Sequence, residues 1–245
     1  QHNGETETVT LFGFRKFSGM EDDSEEKINL EKAERYFRKG SMSNVTHFMK
    51  TNKSNGENAK WTFKTVFDKI WVIAGSKNTC KVFPLGLNPQ HWYPVQSNND
   101  YGNIIANEVY NMLEQMDAKE KLDEFVKHIL RNSYVLMGEL NHPQSEHVFP
   151  INELKIEHVA ILGQDGTEVN PDLAFNIFNL YHLPRVEYSL KPISELENTL
   201  QEIIDDKTCE GSVLYLLQQK DENYIVLSLL KHKSSFYVVA RRIRQ

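Results

Sequence analysis

Thr51-Asn-Lys-Ser-Asn-Gly-Glu-Asn-Ala59 places one lysine, Lys53, ahead of a small, polar, glycine-containing turn, between two segments with the pattern of strands. Taken alone, a lysine in that setting is a solvated charge. It becomes a nucleophile only where surrounding cations and a metal hold its amine unprotonated. The reading of the chain turns on whether other segments supply such partners.

Downstream, Ala59-Lys-Trp-Thr-Phe63 alternates as a half-buried strand does. Lys69-Ile-Trp-Val-Ile-Ala74 and Thr79-Cys-Lys-Val-Phe83 continue the pattern through a Gly75-Ser-Lys-Asn78 turn, predicting a meander with Lys53 at its entrance. Residues 85–100, rich in Asn and proline, read as a loop. Ile105, Val109, Met112, Leu113 and Met116 recur at helical spacing, and Asp117-Ala-Lys-Glu120 has the form of a capping box for a second helix carrying Leu122, Phe125, Val126, Ile129 and Leu130. Tyr134-Val-Leu-Met-Gly-Glu-Leu140 is strand-like around a single acid, Glu139, which needs a partner if buried. A strand follows over 156–162, then a helix opened by Asn170-Pro171 and another opened by Ser194-Glu-Leu-Glu197. Residues 210–217, 224–233 and 236–240 read as strands. Upstream, residues 21–40 predict an amphipathic surface helix, and Thr10–Phe17 a short strand or turn. Strands at both ends with helices between predict an α+β fold of antiparallel sheets.

Composition is that of an ordinary globular protein of 245 residues. No apolar run approaches a membrane span, and no signal peptide opens the chain. Cys80 and Cys209 form neither a disulfide framework nor a zinc-ligand spacing, which makes an intracellular compartment, cytoplasm or nucleus, the expectation. The net charge of −6 at first argues against a nucleic-acid partner. Its distribution does not: acids gather in residues 21–34, while residues 50–81 and 231–244 are basic, and concentrated cations bind phosphates on an acidic chain.

Lys231 and Lys233, two apart in a strand, project from one face while His232 points to the other. Paired ammonium groups call for an anion, and a phosphate suits. The same cations would favour the unprotonated form of a nearby lysine. Glu210, beside Gly211 at the head of a strand, offers a hard oxygen ligand for Mg²⁺, directly or through water. Each feature has a bland alternative in an exposed turn, a surface acid or a solvated strand face. His142 and His147 flank Pro143 without the spacing of a zinc protease, and His147 reads as structural.

Taken together, the order of these segments resembles the covalent nucleotidyltransferase superfamily of RNA ligases, DNA ligases and mRNA capping enzymes, and within it the phage RNA ligase 1 and fungal tRNA ligase branch. Lys53-Ser-Asn-Gly56 resembles the family's Lys-x-Asp/Asn-Gly nucleophile motif, with Asn55 where many relatives carry aspartate. Gly75-Ser-Lys-Asn78, Met137-Gly-Glu-Leu140 followed by Ser145-Glu-His-Val148, Cys209-Glu-Gly-Ser-Val213 and Leu230-Lys-His-Lys233 with Arg241 and Arg242 are similar to the successive motifs of that branch, and Phe14-Arg-Lys-Phe17 to its upstream Lys-Phe. The resemblance implies antiparallel sheets flanked by helices with the ATP site between the sheets. It implies one adenylyltransferase domain over residues 1–245, with 1–50 as an N-terminal subdomain and the relatives' C-terminal domain absent. By the same resemblance Lys53 carries AMP, Lys231 and Lys233 hold the α-phosphate, Glu139 the ribose, and Glu210 Mg²⁺ or Mn²⁺. Asn52 lies beside adenine, while Lys77 and Lys16 assist ribose or phosphates. The implied activity is ATP-dependent joining of RNA 5′-phosphate and 3′-hydroxyl ends, tRNA among the candidate substrates, in RNA repair or tRNA splicing. The alternatives are a capping guanylyltransferase, a DNA ligase, or a non-catalytic module that binds RNA ends. No membrane partner is implied, and the oligomeric state is left open.

Overall fold

The computed structural model describes residues 11–14, 36–145 and 148–244. Among them, nine strands form two antiparallel sheets. The first contains β1 (His47–Asn52), β7 (Tyr188–Pro192), β8 (Gly211–Lys220) and β9 (Asn223–Lys233), in the order β7-β1-β8-β9. The second contains β2 (Glu57–Val66), β3 (Lys69–Gly75), β4 (Cys80–Pro84), β5 (Val135–Asn141) and β6 (Lys155–Leu162), in the order β4-β3-β2-β5-β6. Strands β1 and β2 are consecutive in the chain yet lie in different sheets. The four residues between them, Lys53 to Gly56, therefore carry the backbone from one sheet to the other.

Alternation explains the strands. In β2, Ala59, Trp61 and Phe63 are buried while Lys60 and Lys64 turn away from them. The buried face packs under α1 (Tyr101–Asp117) and α2 (Leu122–Asn132), whose apolar residues recur every three or four positions and put Ile105, Val109, Phe125 and Ile129 into the main core. Helix α3 (Pro171–Leu180) starts where the Asn170 side chain accepts the Asp172 amide and proline takes the first helical position, and it adds Phe175 and Phe178 to that core. On the far side of the first sheet, α4 (Leu196–Asp205) closes a second cluster around Phe48, Leu214, Leu216 and Leu230. A third cluster, Val135, Met137, Ala160 and Leu162, is covered by Leu11 and Phe14. The β5–β6 pairing contains a bulge. Met137 faces Ala160 and Gly138 faces His158, leaving Val159 between them unpaired, and its carbonyl accepts the Tyr215 hydroxyl of the other sheet at 3.0 Å.

Four expectations are corrected. Residues 236–240 do not extend the sheet; they belong to helix α5 (Ser235–Arg244). Ser234, fully buried, anchors it by donating to the Cys209 carbonyl at 2.9 Å while its oxygen accepts the Tyr237 amide at 3.2 Å. Asp117–Glu120 does not cap α2: Glu120 takes a left-handed conformation (φ 57°) in the turn that closes α1, and α2 begins uncapped at Leu122. Ser194 lies inside a 3-10 turn, Ile193–Glu195, that runs straight into α4 and so cannot serve as its cap. Strand β7, paired to the free edge of β1, is an addition to the expected strands, although Val186-Glu-Tyr-Ser-Leu-Lys191 alternates. Most of the helix expected over 21–40 falls on residues 21–35, outside the described residues, and residues 37–40 are not helical.

A chain of two directional polar contacts crosses the main core at Trp61. Trp61 Nε1 donates to His158 Nε2 at 3.0 Å, and His158 Nδ1 donates to the Pro184 carbonyl at 2.7 Å. That arrangement requires the neutral ring, and burial lowers the His158 pKa to about 4. Below its ordinary 6.5 the unfolded chain takes up this proton and the fold does not, so stability is full above pH 6.5 and falls as the pH drops towards 4. Trp61→Phe keeps a ring in place but leaves His158 Nε2 unpaired. Urea unfolding should show a loss of about 1–3 kcal/mol at neutral pH.

Candidate active site

The crossing between the sheets is held at both ends. On the first sheet, the Lys53 amide donates to the Gly211 carbonyl at 3.0 Å. On the second, the Ser54 hydroxyl lies 3.0 Å from Asn141 Oδ1 and 2.9 Å from Glu157 Oε2, and Asn141 Nδ2 donates to the same Glu157 oxygen at 2.9 Å. Lys155 completes the set with an ion pair to Glu157 at 3.0 Å. Glycine is required at each side of the crossing. A Cβ on Gly56 would stand 2.5 Å from the Leu140 carbonyl oxygen; one on Gly211, at φ 144°, would stand 2.1 Å from that of His232.

Lys53 Nζ, fixed in this way, forms an ion pair with Glu210 Oε1 at 2.8 Å. The Glu210 side chain is 4% exposed and that of Lys53 24%, so the lysine is the solvent-facing member of the pair. Glu139 enters the same field from β5. Burial pushes its carboxyl up to about 8; Lys53 and Lys231 act against that shift, while Glu210 and Glu57 add to it. Glu139 is thus largely a neutral acid at pH 7, able to donate a hydrogen bond as well as accept one. Lys231 and Lys233 leave the same face of β9, as Val213↔Lys231 and Gly211↔Lys233 pairing requires, and Lys233 Nζ lies 5.6 Å from the centre of the Tyr237 ring. His232 points to the opposite, buried face.

Four of the anticipated residues, Lys53, Glu139, Glu210 and Lys231, therefore come together from the sheet crossing, β5, the start of β8 and β9. Lys233 shares the strand face of Lys231. Asn52 Nδ2 donates to Glu187 Oε2 at 3.3 Å beside β7. Lys77 occupies the β3–β4 turn and lines a cavity on the Lys60 face of the second sheet. Lys16 lies outside the described residues. Asn55 is half-buried, and its Nδ2 is buried without a hydrogen-bond partner. Glu57, Asn141 and Glu157 escaped the sequence reading because their proximity to Lys53 depends on strand register. Among the described residues no group of three or more His, Cys, Asp or Glu is placed to hold a metal. A hydrated Mg²⁺ fits nonetheless, since it takes one or two carboxylates together with substrate phosphates, and Glu210 offers the buried carboxylate.

No family model and no curated protein sequence matches the chain. Solved structures do. An RNA ligase of Naegleria gruberi with pyrophosphate superposes with a TM-score of 0.52 at 13% identity, over 98% of this chain and 64% of the ligase. A variant of the Naegleria enzyme with ATP and manganese gives 0.50 at 13% identity, over 87% and 55%. An archaeal ATP-dependent RNA ligase gives 0.50 at 14% identity, over 83% and 44%. The likeness is one of fold, and the chain spans between 44% and 64% of the length of these proteins. The protein has the α+β fold of the covalent nucleotidyltransferases, the superfamily that its motifs resemble.

The Glu139 carboxyl gives a direct check on the site's electrostatics. Between pH 4.5 and about 8 the folded chain keeps this proton and the unfolded chain does not, so stability falls as the pH rises through that window. Glu139→Gln removes the dependence. Thermal unfolding should place the variant about 5 °C above the parent at pH 8.5, with the two converging near pH 5.

Proposed function

We propose that this chain is the nucleotidyltransferase unit of an ATP-dependent RNA ligase working in an intracellular setting on RNA repair or tRNA splicing. The observation that carries the reading is the convergence of Lys53, Glu139, Glu210 and Lys231 from four separate segments onto one end of the two sheets. No requirement of folding explains it. Two cations and two carboxyls with a neutral acid among them form a costly arrangement unless a ligand uses it.

Three displacements follow. The Lys53 amine must first lose its proton, and Glu210 Oε1 at 2.8 Å is in place to receive it. The nitrogen then attacks the α-phosphorus of ATP; an N–P bond forms, the bond to the bridging oxygen breaks, and pyrophosphate leaves with that electron pair. In the second step an RNA 5′-phosphate oxygen takes the AMP, returning the electron pair to Lys53. In the third the RNA 3′-hydroxyl attacks the activated 5′-phosphorus, gives up its proton and expels AMP. The chain contributes positioning and charge: Lys231 and Lys233 face the developing phosphoryl charge, and the neutral Glu139 can donate to or accept from a ribose hydroxyl. Held at Glu210 with phosphate oxygens, a divalent cation would neutralise phosphate charge. Lys77 and Lys16 extend the cationic field, and Asn52 is assigned to the base.

Incubation with ATP labelled at the α-phosphate, with Mg²⁺, is expected to leave label on the protein. Lys53→Ala should abolish it, and Lys231→Ala should lower its rate by about 10²–10³. Labelling of Lys53→Ala equal to the parent would refute the nucleophile. Label from GTP alone would indicate a capping enzyme, sealing only of nicked duplex DNA a DNA ligase, and RNA binding without any label a non-catalytic module.

A further inference from the structure

The second sheet has a feature of which the adenylylation chemistry, as proposed above, uses only Lys77 at the rim. A cavity of about 560 Å³ opens on the face of β2 that carries Lys60 and Lys64. Register places it relative to the site. Asn58 faces Glu139, Lys60 faces Met137 and Gly75 faces Lys60, so the cavity starts one row of paired residues from Glu139 and runs away from Lys53 across β3 and β4. Its floor is apolar, built from Trp71, Ile73 and Val82, and its rim is cationic, with Lys60, Lys64 and Lys77. Among the described residues that line it there is no carboxylate. The Trp71 ring is half-buried: part of it faces the cavity, while its Nε1 is buried.

We propose that this cavity takes a nucleotide of single-stranded RNA adjoining the end to be joined, with the base against Trp71 and the chain's phosphates on the lysines. The inference rests on the ligase reading for the identity of the strand, and it adds where that strand lies. The volume falls in the range of small-ligand pockets, which suits one nucleotide. An unpaired base can stack on the aromatic floor as a paired one cannot. Lys60 and Lys64 stand four residues apart on one strand face, about 13 Å at 3.3 Å per residue. Cations at that spacing along the strand suit a backbone with a phosphate at every nucleotide.

Cys80 makes the proposal measurable. It lines the cavity and is exposed, and peptide mass mapping separates its alkylation from that of Cys209. A 5′-phosphorylated twelve-nucleotide RNA is expected to slow alkylation of Cys80 at least about fivefold, whereas ATP with Mg²⁺ leaves it unchanged. Lys64→Glu, at an exposed position, should abolish that protection and raise the RNA concentration for half-maximal sealing about tenfold or more, as loss and reversal of a phosphate contact requires. Trp71→Ala, which removes the aromatic floor, should raise it about tenfold. Three results would each overturn the proposal: Cys80 alkylation indifferent to saturating RNA, protection by ATP alone, or parental RNA dependence in Lys64→Glu. Failure of the parent to form lysyl-AMP would instead remove the ligase reading, and RNA protection of Cys80 would then still support the cavity as an RNA site.

Discussion

The fold depends on how residues 53–56 pass between two sheets whose edges are hydrogen-bonded to different partners. Because β1 and β2 follow one another in the chain but not in space, the crossing must satisfy both sheets within four residues. It does so with the Lys53 amide on Gly211 at one end and the Ser54 hydroxyl on Asn141 and Glu157 at the other. With both ends fixed, the Lys53 side chain has little freedom except to project between the sheets, where Glu210 meets it. Neither glycine at the crossing could carry a side chain without displacing a backbone carbonyl. The same restraints that close the fold thus orient the amine.

Charge within the site is arranged so that no carboxylate stands isolated. Glu210, almost fully buried, is matched by Lys53. Removing one member of such a pair strands the other, so the pair is more informative about orientation than about stability. Glu139 solves the same problem differently, by keeping its proton. An anionic Glu139 would add a third negative group beside Glu210 and Glu57, and the neutral form avoids that repulsion.

Much of this was legible in the sequence, and the limits have physical causes. The meander, the α1 stripe and the proline-initiated α3 follow local periodicity. Lys53, Glu139, Glu210 and the Lys231–Lys233 pair stood out because each sits in a short, chemically unusual segment. What alternation cannot supply is register: nothing in Lys155-Ile-Glu-His158 tells that Glu157 pairs with Glu139 and reaches Ser54. Residues 236–240 are β-branched and aromatic, which reads as strand; the fully buried Ser234 caps them into a helix, a tertiary effect. The supposed capping boxes at 117–120 and 194–197 had the right letters, but the chain was already turning or helical at the capping residue.

The unpaired Val159 in the β5–β6 bulge sets the parity of strand β6. Counting down from Ala160, which shares a face with Met137, regular pairing would put His158 on the outer face opposite Glu139 and send Glu157 inward. The one extra residue reverses both. His158 goes into the core to meet Trp61, and Glu157 comes out beside Glu139 to hold Ser54. A strand that must furnish a core imidazole and a carboxylate for the sheet crossing at adjacent positions can do so in only one frame. Closing the bulge by sliding β6 one residue, with Val159 drawn into the ladder, would exchange the imidazole in the core for a carboxylate and would uncouple the turn that carries Lys53 from the sheet beneath it.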